Sequence, residues 1–145
     1  MKKYLLNIII FSSLLFAQEV YWVDGTNGSD NNNGTSEASA FKTVKKAFSQ
    51  SFSANFVDTI KVKAGTYDFE DDEIYTSSNR DFVLIGVGGS ANTIFTAGHE
   101  NRHMSIDDGQ SNKTKIQGIT FTKGKVDNWP GGGSIVISGG SDVQF

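Results

Sequence analysis

The sequence predicts an all-β solenoid, a stack of short strands behind a single N-terminal helix. Three observations lead there. The stretch Thr114 to Gly124 sets Ile116, Ile119 and Phe121 among Thr, Lys and Gln and punctuates them with Gly118 and Gly124, the composition of a half-buried strand with a tight corner. Similar writing recurs: Asn92 to Gly98 carries Ile-Phe-Thr and ends in Gly, with Ile94 placed 25 residues before Ile119, and Thr59 to Gly65 and Ser134 to Gly139 are looser copies. A period of about 20 to 30 residues belongs to coils too small to bury their own apolar face, so that neighbouring coils supply the core. Finally, one segment near the start switches to a helical period, where such a stack needs a cover over its first rung.

Taken in order, the chain begins with Lys2 and Lys3, a mostly apolar run from Leu5 to Leu15, and the small Ala17 before Gln18, which reads as a signal peptide over residues 1–17. From Tyr4 to Ala17 the run is 14 residues and contains Asn7, Ser12 and Ser13, short of the ~20 apolar residues of a spanning helix. The expected location is therefore secreted or cell-surface, with no membrane span after signal removal. Losing Lys2 and Lys3 moves the net charge from −3 to −5, which argues against a nucleic-acid partner. There is no cysteine, so an exported chain must rely on repetitive packing and hydrogen-bonded ladders in place of disulfides.

Residues 18–56 read as an N-terminal cap. Glu19 to Asp24 is a strand with Val20, Trp22 and Asp24 on one face and Tyr21 and Val23 on the other. Gly25 to Gly34 is almost all turn formers and makes a loop. Ser39 to Phe48 places Phe41, Val44, Ala47 and Phe48 on one side and Lys42, Lys45 and Lys46 on the other, a short amphipathic helix with Ser39 as its N-cap.

Residues 57–145 read as the first coils, about three in number. Ile60, Val62 and Ala64 alternate with Lys61 and Lys63, and Gly65 to Tyr67 closes that strand. Asp68 to Glu73 is an acidic bend, Ile74 and Tyr75 a short strand, Ser77 to Arg80 a polar turn, and Phe82 to Val87 an apolar strand that turns at Gly88 to Ser90. Met104 to Ile106 and Thr114 to Thr122 continue the alternation. Gly131 to Phe145 opens a new strand pair and stops within it, which reads as the front of a longer protein, truncated before any capping repeat.

An ordered series of these pieces resembles the entry module of secreted right-handed parallel β-helix proteins of the pectate-lyase-like superfamily. It runs Tyr21-Trp-Val-Asp24, Gly28-Ser-Asp30, Asn33-Gly-Thr35, Phe41-Lys-Thr-Val44 with Ala47, and Ile60-Lys-Val62 with Ala64-Gly-Thr-Tyr67. Ile85-Gly-Val87, Asn92-Thr-Ile94 and Gly118-Ile-Thr-Phe121 resemble the coil repeats. Ala40 stands where the family commonly has Pro, a small departure, since Ala also starts a helix well. The resemblance implies a right-handed parallel β-helix with a capping helix. It leaves the activity open, because the superfamily holds polysaccharide lyases, glycoside hydrolases and surface or adhesive proteins alike.

Each candidate for chemistry has a plainer reading beside it. His99-Glu100-Asn101-Arg102-His103 is a literal H-E-x-x-H, which binds zinc when a helix sets both His on one face. Here Gly98 precedes it, β-rich segments flank it, and no later glutamate exists to act as third ligand; it reads as a polar bend. Asp68, Glu70, Asp71, Asp72 and Glu73 read as a solvated bend, not as calcium ligands. Asp30 and Asn32, in the loop from Asp24 to Gly34, break the EF-hand spacing.

A lyase would draw on a base such as Lys61 or Lys63, and a hydrolase on a carboxylate pair such as Asp107 and Asp108, but these read as solvated surface. Trp22 and Trp129 suit sugar stacking or simple packing equally. Asn27, Asn33 and Asn112 head glycan-acceptor triplets that a chain of this composition also meets by chance.

No catalytic residue, metal ligand or cofactor is assigned on this basis. The leading functional expectation is an exported module of a surface or adhesin-like protein, with extracellular polysaccharide as its partner. The alternative is the N-terminal part of a polysaccharide lyase or glycoside hydrolase whose active site lies downstream.

Overall fold

The computed structural model describes residues 18–51, 57–69, 73–76, 79–99, 101–125 and 133–145. Residues 1–17, read above as a signal peptide, lie outside them. Among the described residues, eleven short strands and one α-helix follow each other. They are β1 (Val20–Val23), α1 (Val44–Gln50), β2 (Asp58–Val62), β3 (Gly65–Asp68), β4 (Ile74–Thr76) and β5 (Phe82–Gly86), then β6 (Thr93–Thr96), β7 (Met104–Ile106), β8 (Thr114–Gln117), β9 (Thr120–Thr122), β10 (Ile135–Ile137) and β11 (Val143–Gln144).

The strands form three sheets, ordered β1-β2-β5-β8-β11, β3-β6-β9 and β4-β7-β10. All the strand pairs are parallel. From β2 onward the chain visits the three sheets in strict rotation, so from β5 onward each strand pairs with the one laid down a full circuit earlier. Antiparallel hairpins, the arrangement that would have overturned a stacked-coil reading, are absent among the described residues. The fold is thus predominantly β, parallel and repetitive, as expected.

Alternation sets what lies inside. In β2 the buried residues are Asp58, Ile60 and Val62, and in β5 Phe82, Leu84 and Gly86. Register aligns Tyr21, Ile60, Leu84 and Ile116 in one inward column across four strands. In the second sheet Tyr67, Phe95 and Phe121 are aligned, with ring centroids 5.7 Å and 5.4 Å apart and edge-to-face geometry, which suits the ring quadrupoles. Phe69, from the stretch expected to be a solvated bend, is buried and lies 4.8 Å from Phe95, so an apolar anchor interrupts the acidic run. Gly65 to Tyr67, read as the close of a strand, instead opens β3 in a new sheet.

The corner between the first and second sheets depends on glycine. Gly118 has φ +65°, and a Cβ on Gly86 would lie 2.1 Å from the Gly118 carbonyl oxygen, so successive coils approach there more closely than a side chain permits. The 25-residue spacing read from Ile94 to Ile119 is corrected by one: Ile94 pairs with Thr120 and Phe95 with Phe121. The reason is burial, since Phe95 and Phe121 carry the ring stack while Ile94 turns to the half-buried side.

The helix is shorter than expected and differently capped. Phe41 is held in extended backbone by a parallel bridge to Val23, with its N–H donating to the Trp22 carbonyl at 2.9 Å. The helix therefore starts at Val44, with Thr43 as N-cap, its hydroxyl accepting from the Lys46 N–H at 3.1 Å. Ser39 instead ends a short 3-10 turn, Glu37–Ser39, capped by Ser36. Val44, Ala47 and Phe48 are buried as expected, and Phe48 meets Phe82 of β5 edge-on at 5.0 Å. The helix thus packs onto the apolar interior beside β1 and β2 and reaches the first residue of β5.

The one-residue difference in register is testable by stability. Phe95→Ala is expected to cost about 3–5 kcal/mol and Ile94→Ala well under half of that, read as urea midpoints at constant slope; equal losses would refute the assigned inward column.

Candidate functional site

The N-terminal loop is organised by two carboxylates. Asp24 accepts from the N–H groups of Thr26 at 3.0 Å and Asn27 at 2.9 Å and pairs with the Lys63 ammonium at 2.8 Å. Lys63, helped by these N–H donors, holds the Asp24 carboxyl down at about 2. Asp30 accepts from the N–H groups of Lys42 and Thr43, both at 2.9 Å, and from the Thr43 hydroxyl at 2.9 Å. The Asn32 amide donates to the Ala40 carbonyl at 2.9 Å. Oxygens aimed at N–H donors are poor calcium ligands, which need lone pairs turned toward one point. Asp30 and Asn32 therefore tie the loop to the start of α1, and Asp24 ties it to the end of β2.

The structure separates the two histidines of the H-E-x-x-H stretch. His99 is exposed in a left-handed turn with φ 69°, its N–H donating to the Lys123 carbonyl at 2.8 Å. His103 is fully buried, and its Nε2 lies 3.0 Å from the Phe95 carbonyl oxygen. The helix that would set both on one face is not formed. Glu100 lies outside the described residues. Among the described residues, no three His, Asp or Glu side chains converge as a metal site would require.

The two candidate lysines, read as solvated surface, are half-buried and each has a partner there. Lys63 holds Asp24, and the Lys61 ammonium sits 5.0 Å from the centre of the Trp22 ring, a cation–π contact on the outer face of the first sheet. Trp22 is half-buried beneath it. Trp129 lies outside the described residues, as do Glu70, Asp71 and Asp72 of the acidic run. Asn27, Asn33 and Asn112 are exposed.

Asp107 and Asp108 are exposed at the end of β7, and they line a cleft of about 190 Å³ with Tyr75, Thr76 and Ser105. Its wall is Tyr75, which the sequence reading had left without a role. The alternation in β4 buries Ile74 and Thr76 and leaves the Tyr75 ring 67 % exposed. Glu73 fixes the wall and floor. Its carboxylate accepts from the Tyr75 hydroxyl at 2.8 Å and the Ser105 hydroxyl at 2.6 Å, with the Arg102 guanidinium 3.7 Å away. Thr76 donates to the Ser105 carbonyl and accepts from the Gln110 amide at 3.2 Å. An exposed ring beside fixed hydroxyls and carboxylates suits a sugar, whose C–H face packs on the ring while its hydroxyls meet the polar edge.

A second cleft, about 230 Å³, lies between the start of α1 and β3 and is lined by Lys42, Thr43, Val44, Tyr67, Asp68 and Phe69 among others. Much of its lining belongs to the cap contacts already described. No protein-family model matches the chain, and no curated protein or solved structure is significantly similar to it.

The Asp24 clamp makes a prediction with a definite sign. A carboxyl held below its ordinary range contributes stability above that range and loses it as pH falls toward about 2. Asp24→Asn is expected to cost about 1–3 kcal/mol near pH 7. The gap between variant and parent should close toward pH 2, and a gap independent of pH in urea titrations would contradict the clamp.

Proposed function

We propose that this chain forms the cap and first coils of an exported right-handed parallel β-helix of the pectate-lyase-like type, working as a non-catalytic, surface or adhesin-like module that holds extracellular polysaccharide. The observation that carries this is the rotation of parallel strands through three sheets. Apolar residues fill the inside of each circuit and leave the outward positions to present side chains to a ligand. Export rests on the leader of residues 1–17. Polysaccharide is supported by the exposed Tyr75 ring above Ser105, Thr76, Asp107 and Asp108. A binding role is favoured over a lyase because the lysines a lyase would draw on are engaged elsewhere, Lys63 with Asp24 and Lys61 with Trp22.

Affinity electrophoresis through gels carrying neutral or acidic polysaccharides tests this directly. At least one polymer is expected to retard the protein, and Tyr75→Ala to weaken that retention about fivefold, the worth of an aromatic contact of about 1 kcal/mol. Release of unsaturated ends or new reducing ends during incubation would move the chain to the enzyme class. No retardation by any polymer, or an unchanged Tyr75→Ala, would remove the glycan role.

A further inference from the structure

His103 is the one titratable side chain among the described residues that is completely buried, and it sits where the three-sheet circuit is joined. Its Nε2 lies 3.0 Å from the Phe95 carbonyl of β6, so that nitrogen carries the hydrogen of a neutral ring. Its own carbonyl accepts from the Ile74 N–H of β4 at 2.9 Å, and its N–H donates to the Ser134 carbonyl, just before β10, at 2.8 Å. One residue therefore ties four segments. Its other ring nitrogen, Nδ1, is buried and makes no hydrogen bond.

The surroundings favour an uncharged ring. Phe69 and Phe121 face the imidazole with centroids 5.5 Å and 5.3 Å away, and Phe95 packs against both. Titratable groups on the neighbouring segments are Tyr67 and Asp68 of β3, Glu73 and Tyr75 at β4, His99 after β6, Arg102 beside His103, and Lys123 and Lys125 after β9. Asp68, Tyr75, His99, Lys123 and Lys125 are exposed, Glu73 and Arg102 meet each other, and the Tyr67 hydroxyl donates to the Lys63 carbonyl. β6 and the stretch from Gly133 through β10 carry no titratable side chain. Among the described residues none of these groups brings a carboxylate to the ring.

We propose that His103 is an acid-sensitive latch: neutral, it holds β6, β7, β4 and the segment before β10 together, and taking up a proton on Nδ1 opens that seam. Burial pushes its pKa down from the ordinary histidine value, and the carbonyls of Phe95, Ser134 and Thr122 around the ring oppose this without cancelling it. The sign follows from linkage. A group that resists protonation when folded gives stability that is whole above about pH 6.5, its unfolded value, and is lost as pH falls below it, because opening takes up a proton.

The chain has two histidines, and exposed His99 serves as the internal reference in proton NMR. On lowering the pH from 7.5 to 5, the His103 ring resonance is expected to stay at its neutral position for as long as the native spectrum persists. Urea unfolding over the same range should show the folding equilibrium constant falling toward tenfold per pH unit below about pH 6.5. His103→Gln, whose amide still reaches for the Phe95 carbonyl and carries no titrating proton, should flatten that dependence, and His99→Gln should leave it in place. A His103 resonance that titrates reversibly near pH 6.5 with the fold intact would overturn the latch, and so would an unchanged slope in His103→Gln. Should His103→Gln fail to fold, the resonance of the parent chain decides the matter alone.

Discussion

The structure depends on parallel register, because no circuit of the chain can bury its own apolar side chains. A strand of three to five residues offers two or three inward positions, and these form a core only when the strand one circuit away places its own inward positions directly beside them. Tyr67, Phe95 and Phe121 state this constraint most plainly. They come from three successive circuits and meet only because β3, β6 and β9 are in step. A slip of one residue in β6 would put Ile94 inside, expose Phe95, and break contacts with Tyr67, Phe69 and Phe121 together.

Loops that join such strands have to return the chain to register without help from disulfides, and buried or half-buried carboxylates do that work. Asp24 and Asp30 each gather several N–H or O–H donors at the cap. Asp81 does the same between β4 and β5, accepting from the Ser111 N–H at 2.7 Å, the Ser111 hydroxyl at 2.6 Å and the Thr114 hydroxyl at 2.8 Å. Its partners lie one circuit ahead. The Asp81 carboxyl is lowered even though burial raises it, because the hydrogen bonds from Ser111 and Thr114 outweigh that cost. Each clamp links segments far apart in sequence, which is how a cysteine-free chain fixes the pitch of its turns.

Much of the architecture was legible in the sequence because alternation and spacing are local properties. The inward face of β2, the two-faced alternation of β1, the glycine corner at Gly118 and the apolar side of α1 all follow from residue order, whereas in the uniformly apolar β5 only the fold shows that Phe82 and Leu84 point inward. What was not legible depends on partners distant in the chain. Phe41 looks helical by spacing, but its backbone is taken by Trp22 and Asp24, so the helix begins three residues later. Lys63 reads as a solvated lysine until the fold brings Asp24 to it. Phe69 is disguised by its acidic neighbours, and only the ring of Phe95 explains its burial. The Tyr75 cleft drew no attention because its floor comes from Ser105, a full circuit downstream, held through Glu73.

The two histidines of one five-residue motif show why a sequence pattern needs its backbone before it carries chemistry. His99 has positive φ and lies exposed in a turn, while His103, one residue before β7, is buried between the rings of Phe69 and Phe121. The same spacing on a helix would make two ligands of one ion. On this fold it gives one surface residue and one core residue whose imidazole fills a place among phenylalanines. A phenylalanine there would pack as well and would leave the Phe95 carbonyl without its hydrogen bond. The histidine keeps that bond and brings a dependence on protons with it, so a polar contact that stabilises the neutral fold also fixes the conditions under which the fold gives way.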